Sequence, residues 1–209
     1  MPILSYILTV LGAYLLGSIP FGFLMAKAKG IDIRKVGSGN IGATNALRVL
    51  GKPAGIAVLL LDVAKGFAAV WLCAVLVKQF SANTDLETLR VVAGIGAVLG
   101  HNYTCWLKFK GGKGIATTAG VYLALAQWPL LIALAVFILA IALTKYVSVG
   151  SIAGAVALPA AVWLMTPQNI FLSIVTTALG ALAIYKHKSN IQRLRARTEN
   201  RLGQKKEAK

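Results

Sequence analysis

Acidic side chains are scarce in this chain: six Asp and Glu stand against 22 Lys and Arg over 209 residues. Two-metal catalysis and carboxylate-held metal cofactors need grouped carboxylates, so the sequence argues against a bound metal, and no cofactor is expected. Cysteine is equally rare, with two residues, too few for a disulfide framework or a cysteine metal cluster. Charge of either sign is low, at 13% where a soluble chain carries about 25%. What stands in its place is apolar: 57% of the residues are hydrophobic and the mean hydropathy is +0.74. A net charge of +16 by itself would suit nucleic acid or a disordered basic tail. A disordered tail lacks this apolar mass, and a nucleic-acid surface is not interrupted by long uncharged runs. No nucleic-acid partner is expected; the lipid bilayer is.

Apolar runs long enough to approach the roughly 20 residues of a spanning helix fall at residues 3–26, 54–77, 89–107, 115–127, 129–144, 147–165 and 169–185. The fourth and fifth touch at Gln127-Trp128-Pro129; Pro129 suits the first turn of a new helix, and one span over 115–144 would be abnormally long. The expected fold is therefore an all-α integral membrane protein of about seven transmembrane helices, a single polytopic domain over residues 1–209. With seven spans, 19 Lys and Arg fall on one side, while Lys78 and Arg90 fall on the other. The positive-inside rule then places the N-terminus outside and the basic tail, residues 186–209, in the cytoplasm. Cys73 and Cys105 lie toward opposite ends of their spans and are expected not to pair.

Three polar segments fall on the basic side. The first, Val36-Gly37-Ser38-Gly39-Asn40-Ile41-Gly42-Ala43-Thr44-Asn45-Ala46-Leu47-Arg48, is longer than a turn requires. Small residues there let successive N–H groups converge on an anion, with donors from Ser38, Asn40, Thr44 and Asn45 and a bidentate cation from Arg48. It matches G-x-G-x-x-G, with Asp62 20 residues on, but lacks the preceding strand and places Asp62 inside an apolar span, so it is not a dinucleotide site. The second segment is Gly100-His101, then Phe109-Lys110-Gly111-Gly112-Lys113-Gly114-Ile115-Ala116-Thr117. A Gly-Gly turn opening into a helix brings free N–H groups and two lysines together as a second anion site, although Gly114 stands where a Walker loop needs Ser or Thr. The third segment, His187 to Glu199 in the tail, is as readily a lipid-headgroup-binding stretch; His187 and Asn190 are its distinctive members.

Asp62 and Lys65 lie one turn apart within the second span. At that spacing they pair with each other, although intramembrane charges also line transport pathways. A transporter of a phosphorylated small metabolite is therefore the rival reading. Against it, the polar motifs sit at one surface and no internal repeat is evident. A His-plus-four-plus-Asp acyltransferase dyad is absent, since Trp106 and Gln192 occupy the positions after His101 and His187.

Taken together the three segments resemble the three motifs of the bacterial acyl-phosphate:glycerol-3-phosphate acyltransferases, the PlsY family, over essentially the whole chain. The first motif runs through Gly37, Ser38, Gly39, Asn40, Gly42, Thr44, Asn45 and Arg48. The second covers Gly100-His101 and Phe109-Lys110-Gly111-Gly112-Lys113-Gly114, with Thr117 taken as a further candidate beside it, and the third matches at His187, Asn190, Ile191, Arg193, Leu194 and Glu199. This chain departs where the family has glycine two residues before the glutamate: Arg197 stands there. The resemblance implies a glycerol-3-phosphate 1-O-acyltransferase that uses fatty acyl phosphate and releases lysophosphatidic acid and inorganic phosphate, the first step of phospholipid biosynthesis. It implies a multi-pass protein of the bacterial inner membrane with a cytoplasmic active site. Ser38, Arg48, Lys113, His187 and Asn190 would hold glycerol 3-phosphate, while the Gly111 and Gly112 amides and nearby glycines would cradle the acyl phosphate. An acyl phosphate is already activated, and its departing phosphate can take the attacking hydroxyl's proton, so no dedicated base is required. The oligomeric state is left open, a monomer being compatible with the sequence.

Overall fold

The computed structural model describes residues 2–80 and 84–203; Lys205, Lys206, Glu207 and Lys209 of the basic tail lie outside the described residues. Among the described residues the secondary structure is entirely helical, as the hydropathy pattern requires. The chain groups into two compact units, residues up to Gln127 and residues from Trp128 onward.

The first unit opens with α1 (Pro2–Ser18) and a short α2 (Phe21–Lys27), which together make one span-length segment, Ile3–Lys27. After the first polar loop come α3 (Ala43–Leu50) and α4 (Lys52–Ala68), joined at Gly51, whose φ of +91 lies in the region glycine favours. Helix α4 continues through a π turn at Ala69–Cys73 into α5 (Ala74–Phe80), so the second span is longer at both ends than residues 54–77. Helix α6 (Leu86–Asn102) is capped by Asp85, whose carboxylate accepts the Thr88 N–H at 2.7 Å. It stops at Asn102 rather than at residue 107, and a 3-10 turn at Cys105–Leu107 follows. Helix α7 (Ile115–Leu125) starts at Gly114 and ends at Ala126.

Small residues set the packing of this unit. A Cβ on Gly100 would lie 2.2 Å from the Tyr14 carbonyl oxygen, and one on Gly17 2.2 Å from that of Ala97, so α1 and α6 touch backbone to backbone. Gly66 and Gly120 do the same for α4 and α7, against the Thr117 and Val63 carbonyls. In a solvent of lipid tails such close contact, and not apolar burial, drives helix association. Polar side chains tie the ends: Tyr14 Oη donates to the Tyr103 carbonyl at 2.7 Å, and Thr104 Oγ1 to that of Ser18 at 2.6 Å.

The second unit contains α8 (Gln127–Thr144), which begins one residue after the α7 cap, then α9 (Val147–Met165), α10 (Ile170–Lys186) and α11 (Lys188–Arg195). The break expected at Gln127-Trp128-Pro129 is thus present as two separate helices. Asn169 caps α10 by accepting the Leu172 N–H at 2.9 Å, and α10 and α11 meet at His187 with a 51° bend.

Among the described residues four helical segments are long and apolar enough to cross a membrane: Ile3–Lys27, Lys52–Phe80, Gln127–Thr144 and Val147–Met165, with a fifth if α10 and α11 count as one bent span. Helices α6 and α7, with 17 and 11 residues, are shorter. Both Cys73 and Cys105 are free thiols.

Candidate active site

The first loop, between α2 and α3, is folded around one side chain. Asn45, 1% exposed, accepts the Ser38 N–H on Oδ1 at 2.8 Å. Its Nδ2 faces the carbonyls of Ile33, Val36 and Asn40 at 3.2, 3.1 and 2.8 Å. Every polar atom of Asn45 is therefore spent on loop backbone, and its role is to hold the loop rather than to donate to a ligand. Asn40 Oδ1 likewise serves the loop, accepting the Gly42 N–H at 2.9 Å. Gly37 and Gly39 both take left-handed conformations, φ +63 and +71, and a Cβ on Gly37 would strike Asn45 Oδ1 at 2.2 Å. Ile33 and Ile41 anchor the loop in an apolar cluster with Ala26, Ala46, Val58 and Leu107. At the loop's outer edge Arg34 makes a bidentate pair with Asp32. That guanidinium holds the half-buried Asp32 carboxyl down to about 2, so the carboxylate stays ionised at any physiological pH. At the rim stand the half-buried Ser38 of the loop and, on α3, the half-buried Thr44 and the exposed Arg48.

The second loop lies on the C-terminal end of α6. Gly112 N–H donates to the His101 carbonyl at 3.0 Å and Gly111 N–H to the Asn102 carbonyl at 3.3 Å. This corrects the expectation that these two amides cradle a phosphate: both are already used. The glycines have a different reason. A Cβ on Gly111 would lie 2.1 Å from the His101 carbonyl oxygen, one on Gly112 2.1 Å from His101 Nε2, and one on Gly114 2.7 Å from Asn102 Oδ1. The loop has no room for side chains on its inner surface. Beside it stand the half-buried Lys113, the exposed Lys110 and the first-turn amides of α7, the kind of N–H groups that a helix start leaves without intrahelical partners. Thr117, in that first turn, is fully buried, and its Oγ1 has no hydrogen-bond partner among the described residues. Lys108 and Phe109, just ahead of the glycines, both adopt φ near +60 (53 and 60), a local strain that nothing in the sequence signalled.

His101 does not face a ligand with its Nδ1. That atom is 3.0 Å from Lys65 Nζ, which also pairs with Asp62 Oδ1 at 2.8 Å and donates to the Ile19 carbonyl at 2.8 Å. The Asp62–Lys65 pair expected from the i,i+3 spacing is present, and with side chains 3% and 2% exposed it is enclosed by protein and lines no open path. Its link to His101 was not legible, because it joins residues 36 apart in sequence.

In the second unit Glu199 is the hub. Its Oε1 accepts from Asn190 Nδ2 at 2.8 Å and Ser148 Oγ at 3.2 Å, and its Oε2 pairs with Arg193 Nε at 2.7 Å. Ser148, on α9, lies in an apolar run and carried no sequence signal. Arg197 takes φ +57. Its N–H reaches the Leu194 carbonyl at 3.1 Å and the Thr198 N–H reaches that of Arg193 at 2.8 Å, the pair of bonds that closes a helix with a left-handed residue after the cap. Glycine is the favoured residue at such a position, and here arginine fills it while the turn still delivers Glu199 to Asn190. His187, at the α10–α11 bend, has Nδ1 2.7 Å from the Ala183 carbonyl. A carbonyl only accepts, so Nδ1 carries a proton and a neutral ring offers its lone pair at Nε2.

A family model described as glycerol-3-phosphate acyltransferase matches residues 7–197. The chain is 50% identical to the glycerol-3-phosphate acyltransferase of Desulforamulus reducens over 97% of its own length and 98% of that protein's. It is 47% identical to that of Shouchella clausii, at the same two coverages of 97% and 98%. Among solved structures it is similar to the integral membrane glycerol 3-phosphate acyltransferase PlsY (YgiH) in its glycerol 3-phosphate form, with a TM-score of 0.84 and 40% identity over 95% of this chain and 96% of that one. The lysophosphatidic acid form of the same protein matches with a TM-score of 0.81.

Proposed function

From the premise that the chain belongs to the glycerol-3-phosphate acyltransferase family and is an acyltransferase, we propose that it acylates the 1-hydroxyl of glycerol 3-phosphate with a fatty acyl phosphate. The observation that carries the reading is the near-full-length likeness to a membrane acyltransferase solved in a glycerol 3-phosphate form. In the reaction the hydroxyl oxygen bonds to the acyl carbon, the bond from that carbon to the phosphate oxygen breaks, and the leaving phosphate takes the hydroxyl proton. The products are lysophosphatidic acid and inorganic phosphate. With the proton accepted by the leaving group, the protein's task is to hold two anions in register and to stabilise the developing oxyanion.

In the first unit, Ser38 and Arg48 at the rim of the first loop and Lys113 on the second are assigned to the phosphate of glycerol 3-phosphate; Lys110 and the first-turn amides of α7 are assigned to the acyl phosphate. In the second unit His187 and Asn190 are assigned to the acceptor on the family resemblance. The membrane arrangement proposed with it is seven spans with the N-terminus outside, so that the loops carrying these residues face the cytoplasm of a bacterial inner membrane. The basic loops and tail support that orientation, and the close packing of the shorter α6 and α7 against α1 and α4 supports their placement inside the bundle.

The test is acyl transfer to labelled glycerol 3-phosphate by detergent-purified protein, with acyl phosphate and acyl-CoA compared as donors. Product with acyl phosphate alone is the expected result. Product with acyl-CoA alone would overturn the donor assignment.

A further inference from the structure

The interior of the first unit holds a charged network that the reaction above does not use. Asp62 and Lys65 come from α4 and His101 from the end of α6, and their residues are 2%, 4% and 5% exposed. The Lys65 ammonium has three N–H donors and no acceptor. It donates to the Ile19 carbonyl at 2.8 Å, stands 3.0 Å from His101 Nδ1, and forms an ion pair with Asp62 Oδ1 at 2.8 Å that lacks hydrogen-bond alignment. Asp62 Oδ1 is 3.7 Å from His101 Nδ1, too far for a hydrogen bond between them. Nδ1 is therefore an acceptor, and the ring's proton sits on Nε2. A second proton on Nδ1 would set two cations 3.0 Å apart in a buried site. His187 has the opposite arrangement, with its proton on Nδ1 toward the Ala183 carbonyl.

The other edge of the His101 ring meets the second loop. A Cβ on Gly112 would lie 2.1 Å from Nε2 and 3.0 Å from both Cδ2 and Cε1, so the tip of the imidazole occupies the space a side chain would need. The same residue's carbonyl accepts the Gly112 N–H at 3.0 Å. Gly112 is thus seated on His101 by both main chain and ring, and Lys113 is the next residue.

We infer that Asp62 and Lys65 are positioning residues for the Gly111–Gly114 loop, acting through His101: the buried ion pair fixes the tautomer and tilt of the imidazole, and the imidazole fixes the seat of Gly112 and hence of Lys113. A buried ion pair contributes little net stability compared with apolar residues of the same volume. What it supplies is direction, since a methyl-lined pocket would not select one ring edge. The inference rests on the assignment of Lys113 to glycerol 3-phosphate.

The experiment uses the full-length enzyme with 15N-labelled histidine. The chain has two histidines, so a His187→Gln sample assigns the His101 signals. The expected spectrum at neutral pH shows His101 unprotonated at Nδ1 and protonated at Nε2. Removing both charges together in the Asp62→Asn, Lys65→Met variant should mix the tautomers. It should also raise the KM for glycerol 3-phosphate by about tenfold, with kcat and the donor KM changed less than about threefold. A purely structural pair would not separate the two KM values. Should that variant not fold, His101→Asn keeps an acceptor near Lys65 but removes the ring, and should give the same split of constants. Wild-type protein with the His101 proton on Nδ1, or a folded double variant with an unchanged acceptor KM, would overturn the inference. Wild-type protein that transfers no acyl group from any donor would instead remove the function reading, while the tautomer spectrum would still report on the network itself.

Discussion

Glu199 Oε1 lies 2.8 Å from Asn190 Nδ2, and the same carboxylate takes Ser148 on Oε1 and Arg193 on Oε2. The bond from Nδ2 to Glu199 fixes the orientation of the Asn190 amide on the short helix after the bend. Glu199→Ala would leave Asn190, Ser148 and Arg193 each without this partner. The expected loss is about 2–3 kcal/mol, kept below the range for a fully buried pair because Arg193 is 31% exposed. Thermal unfolding in detergent checks it; a melting temperature equal to wild type would mean that Glu199 is not the hub.

Arg197 stands in a left-handed conformation, φ +57, where only glycine avoids a steric cost. Arg197→Gly should therefore stabilise the protein by about 1 kcal/mol, which for a chain of this size raises the melting temperature by roughly 2–4 °C. Activity should be unchanged, because the turn already delivers Glu199. A lower melting temperature would show that the arginine side chain contributes more than the backbone strain costs.

Asn45 provides four contacts to the first loop, and Asn45→Ala would leave the Ser38 N–H and three carbonyls to find other partners. A destabilisation of about 2–4 kcal/mol is expected, together with a raised KM for glycerol 3-phosphate as Ser38 and Arg48 lose their seat. Asn45→Asp separates the two effects: it keeps the acceptor for Ser38 N–H but turns the donor face into a second acceptor facing three carbonyls. Kinetics and unfolding measured on both variants decide the matter. Equal, near-wild-type behaviour of the two would discard the holding role.

Arg48 and His187 are tested by activity. Arg48→Ala should lower kcat/KM by at least about a hundredfold, the scale of one lost charge-assisted contact to phosphate, in protein that still folds. Full activity would remove Arg48 from the site. His187→Gln keeps a hydrogen-bonding group but no titratable one: retention of most of kcat supports a ligand role, and loss of kcat with a flattened pH profile supports a base.

Gly112→Ala places a methyl group 2.1 Å from His101 Nε2, so either the ring or the loop must move. The expected outcome is folded protein with an acceptor KM raised by about tenfold or more. A wild-type KM would show that the loop shifts without consequence for the substrate.

Composition and period settled the class of this protein. A chain that is 57% hydrophobic and carries 13% charge must satisfy its backbone within helices once water is excluded, and the residue runs then mark where those helices lie. The N-cap residues Asp85 and Asn169 and the break before Pro129 are local signals of the same kind, readable because they depend on neighbours in sequence. The three polar segments were legible as well, since long stretches of Gly, Ser, Asn and Lys do not belong between apolar helices without a purpose.

What those residues do was decided by contacts across the fold. Gly111 and Gly112 read as anion donors in sequence, but the end of α6 lies against them, and their amides and missing side chains both serve that contact. Asn45 read as a ligand and is the core of its own loop. Asp62 and Lys65 could be paired from their spacing, but their link to His101, 36 residues beyond Lys65, arises only when α6 packs beside α4. Hydropathy and capping act over one or two turns of chain, so the sequence determined the helices and the location of the polar loops. Hydrogen bonds between side chains far apart in sequence depend on where whole helices come to rest, and only the tertiary structure decided which polar atoms are spent on the fold and which are left for a substrate.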